Sequence, residues 1–222
     1  MLNIIKQAVA KGQKTLSEYE SRLVIESAGV FTAAAALTKT KEEAIQEAET
    51  MGYPVVLKGC SAELSHKTEA GMVALNITDS DQVAQVFDEL TSKAKNLDGI
   101  LVEKMVRGSR EFVIGLSRDP SFGPCVMFGL GGIFTEALKD VTFRVAPLTR
   151  EDALEMIDEI KTKKLLGEFR GSPAVDREAL ARALVGVGDL GIKYDSIAEI
   201  DINPLIICGD KPVAVDALVV LK

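Results

Sequence analysis

Helical and extended apolar patterns alternate along the whole chain. The clearest helix is 79–96, where Val83, Val86, Phe87, Leu90 and Ala94 recur at three- and four-residue spacings and so share one face. Thr40 followed by Glu43 has capping-box spacing. Ala44, Ile45 and Ala48 then continue a helical stripe that ends near Gly52. Two more helices are predicted at 149–160 and 176–191, the second with Leu180, Leu184 and Val187 in register and Gly191 as its stop. Between them lie β-branched runs: YPVVLKG (53–59), MVALNI (72–77) and GILVEKMV (99–106). EFVIGLS (111–117), a turn at RDPSFGP (118–124) and CVMFG (125–129) predict an antiparallel hairpin or meander. IAEIDINPLII (197–207) and PVAVDALVV (212–220) are the last two predicted strands.

The alternation gives an α+β (α/β) class in two lobes, with a hinge expected around 103–110 and no internal repeats. The boundaries expected are an N-terminal arm at 1–15, a first lobe at 16–103 and a second lobe at 104–222. At 222 residues, 47% hydrophobic and 27% charged, the chain can build its core without disulfides or metals. A formal net charge of −7 argues against a general nucleic-acid binder, which needs a basic face, yet leaves room for a local cationic phosphate pocket. Cys60, Cys125 and Cys208 are well separated and form no CxxC, which reads as reduced thiols. The N-terminal stretch has no apolar core of signal-peptide length, and no run of about 18 apolar residues exists to span a membrane. The expectation is a cytoplasmic protein.

Candidate chemistry concentrates in four places. Lys58 ends the apolar run VVLK. A lysine there reads either as a side chain laying its stem on apolar surface with its amine in water, or as a phosphate ligand. Glu103, near a bend, and Glu111, eight residues on, are either solvated acids or readers of an adenine edge and a ribose hydroxyl. FGLGGIFTEALKD (128–140) is glycine-rich without the dinucleotide spacing, and fits a generic anion-binding turn in which backbone N–H groups approach phosphate oxygens. In EIDINPL (199–205), Glu199, Asp201 and Asn203 share one face of an extended strand, and Asp216 repeats the acid on the next. Such hard oxygen donors suit Mg²⁺, and Asn203-Pro204 is expected to end its strand.

The strings GYPVVLK, SHKTEAG, LVEKMV, REFVIGLSRDPSFGP, MFGLGGIFTEALKDVTFRVAPL and EIDINPL resemble the ATP-grasp β subunit of ADP-forming acyl-CoA (acetate–CoA) synthetases, relatives of succinyl-CoA synthetase, over roughly residues 16–222. The resemblance implies an ATP-grasp fold clamping ATP or ADP between two lobes. It makes Lys58 and Lys67 phosphate ligands, Glu103 and the Val106 backbone adenine contacts, Glu111 a ribose contact, and Asn203 and Asp216 the Mg²⁺ ligands. Asp201 becomes the acid near the reacting phosphohistidine, and Arg144 matches a family position. One residue departs from the pattern: Met72 stands where the family has a second glycine.

In that family acyl-CoA, ADP and phosphate exchange with carboxylate, ATP and CoA through a phosphohistidine on the α subunit. The CoA-binding and CoA-ligase domains that carry it are not among these residues, so a separate α subunit is the expected partner. A stand-alone ATP-grasp carboxylate ligase and a non-catalytic nucleotide-sensing module are the alternatives. His66 in LSHKTEAGM is the only histidine. By itself it reads as a loop imidazole in water; by resemblance it relays phosphoryl between the α-subunit histidine and ADP, with Lys67 beside it offsetting charge.

Overall fold

The computed structural model describes residues 2–64, 70–132 and 140–222. It divides into two compact units, one of Leu16–Tyr19 with Ala33–Met105, the other of Met1–Thr15, Glu20–Thr32 and Val106–Lys222. The expected division, an arm at 1–15 and one cut after 103, is therefore corrected. Hydrogen bonding at sheet edges explains the difference. Leu221 N–H donates to the Lys14 carbonyl, Thr15 bridges to Val220, and Thr32 bridges to Ala214, so both early segments are tied to the end of the chain. The segments carry two helices that sequence periodicity did not reveal, α1 (Leu2–Ala10) and α2 (Glu18–Glu26). In α2 the polar residues Ser21 and Arg22 are as buried as Val24 and Ile25, which hides the apolar stripe.

The unit containing Ala33–Met105 holds β1 (Ala35–Thr38), α3 (Lys41–Met51), β2 (Val55–Cys60), β3 (Val73–Ile77), α4 (Ser80–Lys93) and β4 (Gly99–Lys104). Its antiparallel sheet has the order β1-β4-β2-β3. Thr40 closes the expected capping box with Glu43 at the start of α3, and Asp79 caps α4 by accepting from Gln82 N–H. Ala44 and Ala48 of α3 and Val83, Phe87 and Leu90 of α4 bury against Val55, Leu57, Ile100 and Val102 on one sheet face. Side chains alternate along a strand, so Val56, Lys58, Leu101 and Glu103 lie on the opposite face. Met72 is buried in the helix-side core, and its side chain occupies the space that a Cβ on Gly59 would need. The departure at 72 is thus matched by a glycine on the neighbouring strand.

The other unit adds β5 (Glu111–Asp119), β6 (Gly123–Leu130), β7 (Val141–Val145), α5 (Arg150–Glu159), α6 (Arg177–Lys193), β8 (Ile197–Cys208), β9 (Lys211–Ala214) and β10 (Leu218–Leu221). The sheet order is β10-β8-β5-β6-β7, with β9 also paired to β8. Ile114, Leu116, Val126, Phe128, Ile200 and Ile202 are all buried, on the sheet face packed against α5 and α6. Gly191 does not stop α6, which runs on to Lys193. A Cβ there would sit 2.5 Å from Leu116 Cδ1 and 2.9 Å from Pro124 Cβ, so glycine is needed for close helix–sheet approach. Gly186 likewise lets α6 approach the backbone of Ala28, in the turn after α2.

Asn203-Pro204 does not end its strand either. Ile114 pairs with Ile202 and Phe112 with Leu205, so two residues of β8 oppose Val113 in a bulge, a place where a sheet accepts proline. The burial phase records the extra residue: Ile200 and Ile202 are buried before it, Leu205 and Ile207 after it. On its other edge β8 changes partner at the same point, pairing Asp201 with Leu218 of β10 and Leu205 with Ala214 of β9. The single strand expected at 212–220 is therefore two, separated by residues 215–217.

Candidate functional site

Each unit presents its own cluster of the sequence-identified residues. In the first, Lys58 sits inside β2 and not at its end, and its side chain is only 7% exposed. The expected half-buried amine in water is thus replaced by a buried ion-pair network. Lys58 Nζ lies 2.8 Å from Glu18 Oε1 and 3.3 Å from Glu103 Oε1. The register explains the second contact. Lys58 opposes Leu101, so Glu103 is its diagonal neighbour on the same face of the adjacent strand. Glu103 is buried, not a solvated strand-end acid. Glu18 comes from the first residue of α2 and was not identified from sequence, because nothing in LSEYE links an acid to a lysine 40 positions away. On this face Cys60 also feels Glu18. Burial pushes the thiol's pKa up, hydrogen bonding from Tyr19 and Ser17 draws it down, and the Glu18 carboxylate raises it further. Cys60 therefore stays a neutral thiol.

In the second unit the start of β5 is held firmly. Gly108 packs so closely on the Ile207 carbonyl that a Cβ would collide with it, and Arg110 is buried, with its guanidinium donating to four backbone carbonyls. Residues 108–110, expected within a hinge, are thus pinned. They place Glu111, whose carbonyl accepts from Gly131 N–H at 2.9 Å. Its carboxylate lies against Gly132, at φ +67, where a Cβ would collide with it. Gly132 N–H points at Asn203 Oδ1, 3.4 Å away, so the glycine-rich turn, Glu111 and the β8 bulge meet at one place. Val106, partly buried, is the first residue of this unit's long segment.

The strand register puts residues 215–217 beside 202–204, which brings Asp216 opposite Asn203. Ala217 N–H donates to Asp216 Oδ1 at 2.8 Å. Asp201 is partly buried on the same side of β8 as the exposed Glu199. Burial first, then the charges of Glu199 and Asp216, push its pKa up to about 6. Mutually repelling carboxylates with an amide oxygen form a hard-oxygen donor set short of positive charge, which suits Mg²⁺. Among the described residues no three carboxylate, histidine or cysteine side chains form a complete metal cage. A cation here would take the rest of its shell from phosphate and water.

Arg144, on β7, pairs with Glu159 of α5 at 2.5 Å and lies 3.9 Å from Glu155, so in this structure it ties strand to helix. His66 and Lys67 lie outside the described residues, as do positions 133–139 of the glycine-rich string. Among the described residues no helix is long and apolar enough to cross a membrane.

A family model described as an ATP-grasp domain matches residues 7–221. The chain is 42% identical to the β subunit of acetate–CoA ligase [ADP-forming] I of Pyrococcus furiosus, over 98% of this chain and 96% of that one. It superposes with a TM-score of 0.94, at 40% identity and 99% coverage of both chains, on the dinucleotide-forming acetyl-coenzyme A synthetase 1 of Ca. Korarchaeum cryptofilum in complex with coenzyme A, Ca-AMPCP and HgCl⁺. Another structure of that synthetase, with coenzyme A and Mg-AMPPCP and its phosphohistidine segment pointing towards the nucleotide-binding site, gives a TM-score of 0.87 at 40% identity and 99% coverage of both chains.

Proposed function

The chain belongs to the ATP-grasp domain family, and on that premise we propose that it is the nucleotide-binding β subunit of an ADP-forming acyl-CoA synthetase. Its partner is an α subunit carrying the CoA-binding and CoA-ligase domains. The observation that carries this reading is the meeting of Glu111, Gly132, Asn203 and Asp216 at the β8 bulge, in a chain that matches such a β subunit from end to end.

Lys58 and Lys67 contact phosphates, Glu103 and the Val106 backbone contact adenine, and Glu111 holds a ribose hydroxyl. Asn203 and Asp216 hold Mg²⁺, which when bound offsets charge on the phosphate oxygens. The partner forms acyl phosphate from acyl-CoA and phosphate with release of CoA, and its histidine takes the phosphoryl group with release of carboxylate. His66 then takes phosphoryl from that phosphohistidine: one P–N bond breaks as another forms. A β-phosphate oxygen of ADP finally attacks phosphorus, the second P–N bond breaks, and ATP leaves a free imidazole. Two short transfers replace one long one. Asp201, on the same side of β8 as Glu199, is the acid near the reacting phosphohistidine.

The test is reconstitution. The chain alone should bind Mg²⁺·ADP and form no ATP from acetyl-CoA, ADP and phosphate; adding the α subunit should start turnover. ATP formation by the chain alone, or no nucleotide binding at all, would overturn the reading.

A further inference from the structure

We propose that Glu18 is a positioning residue for nucleotide binding, acting through Lys58. The inference rests on the reading of Lys58 as a phosphate ligand. Lys58 is gripped from two directions, by Glu103 on the adjacent strand at 3.3 Å and by Glu18 at the start of α2 at 2.8 Å. The side chains of Lys58, Glu18 and Glu103 are 7%, 1% and 2% exposed. Burying three charged groups is a poor way to stabilise a sheet, since apolar residues of similar volume usually do as well or better. The same face accepts Val56 and Leu101 beside them, so the sheet does not require charge there.

The arrangement makes sense as preorganisation. A free lysine has four rotatable side-chain bonds, and immobilising such a side chain on binding costs affinity. Here that ordering is already done. Glu103 fixes the amine from within the sheet, and Glu18, the nearer anion, fixes it from outside. Glu18 need not touch nucleotide to matter; its effect passes entirely through the Lys58 amine.

A double-variant cycle on the full chain, with Mg²⁺·ADP affinity read by calorimetry, tests this. Lys58→Met should weaken binding. Glu18→Gln, of equal size but uncharged, should weaken it about tenfold, the scale of re-ordering one long side chain. The double variant should bind no more weakly than Lys58→Met alone. If Lys58→Met leaves affinity unchanged, the phosphate reading of Lys58 fails and the role of Glu18 with it. If Lys58→Met weakens binding but Glu18→Gln does not, only the present inference is overturned. Tighter binding by Glu18→Gln overturns it too, as that marks a carboxylate competing with phosphate for the amine. So does a Glu18→Gln effect that persists in the Lys58→Met background. Should Glu18→Gln not fold, Glu18→Asp keeps the charge and withdraws it by one methylene. It should lose affinity in the same direction, and wild-type affinity would overturn the proposal.

Discussion

Replacing Arg110 by methionine keeps the apolar stem and removes a guanidinium that donates to the carbonyls of Leu165, Gly167, Pro173 and Gly209 at 3.1, 3.2, 2.9 and 3.0 Å. These acceptors come from three separate stretches of chain, and Arg110 itself is only 4% exposed. At about 1 kcal/mol net for each bond, the four together imply a loss of about 4 kcal/mol. For a unit of this size that corresponds to a fall in Tm of roughly 10 °C. In urea, with a slope of about 2 kcal/mol per molar, it is a midpoint shift of about 2 M. Urea unfolding followed by circular dichroism, with hydrogen exchange at β5 and β8 to assign the transition to this unit, measures it. Arg110→Lys should recover only part of the loss, because one ammonium cannot reach four carbonyls fixed around a planar fork. The reasoning fails if Arg110→Met costs less than about 1 kcal/mol, since the four carbonyls would then be satisfied without it.

Asp216→Ala should abolish the Mg²⁺-dependent part of ADP affinity while leaving metal-free binding intact; calorimetry with and without Mg²⁺ separates the two, and equal Mg²⁺·ADP binding in variant and wild type would remove Asp216 from the metal site. His66→Ala should keep ADP binding and lose ATP formation with the α subunit present; near-normal turnover would leave His66 without a chemical role. Asp140 is buried, which alone would raise its pKa, but hydrogen bonds from Thr162 Oγ1 and the N–H groups of Lys161 and Thr162, with the Lys161 charge, hold the carboxyl below its ordinary value. Its folded pKa is depressed, so its contribution is full above the unfolded value near 3.9 and fades as pH falls through the folded one. Asp140→Asn should therefore lower stability at pH 7 and flatten the acid limb below about pH 4; an unchanged acid limb in chemical denaturation would count against it.

Elements with a regular period and a local punctuation mark were legible in the sequence. The Thr40–Glu43 box, the stripe of α4 and the β5–β6 hairpin are set by residues within one or two turns of each other, so local spacing suffices to place them. The acids and amide of β8 were legible for the same reason, since strand alternation alone puts Glu199, Asp201 and Asn203 on one side. What failed was punctuation whose meaning depends on a distant surface. Gly191 looks like a helix stop, but it is a glycine because Leu116 and Pro124 leave no room for a side chain. Pro204 looks like a strand end, but the bulge opposite Val113 accommodates it, and the change of partner from β10 to β9 is what carries Asp216 to Asn203.

The sequence by itself determined the alternation of elements, the supply of hard oxygen donors, and the motif strings shared with the family, because each is written in neighbouring residues. Only the tertiary structure decided that Lys58 is buried between Glu18 and Glu103, that Thr15 bridges to Val220 near the other end of the chain, and that Arg110 fixes the strand bearing Glu111. Each of these is a pairing between residues 40 or more positions apart. Burial makes such pairings strong, by stripping water from charges and carbonyls that must then satisfy one another, and no local pattern in the chain records which distant partner will do so.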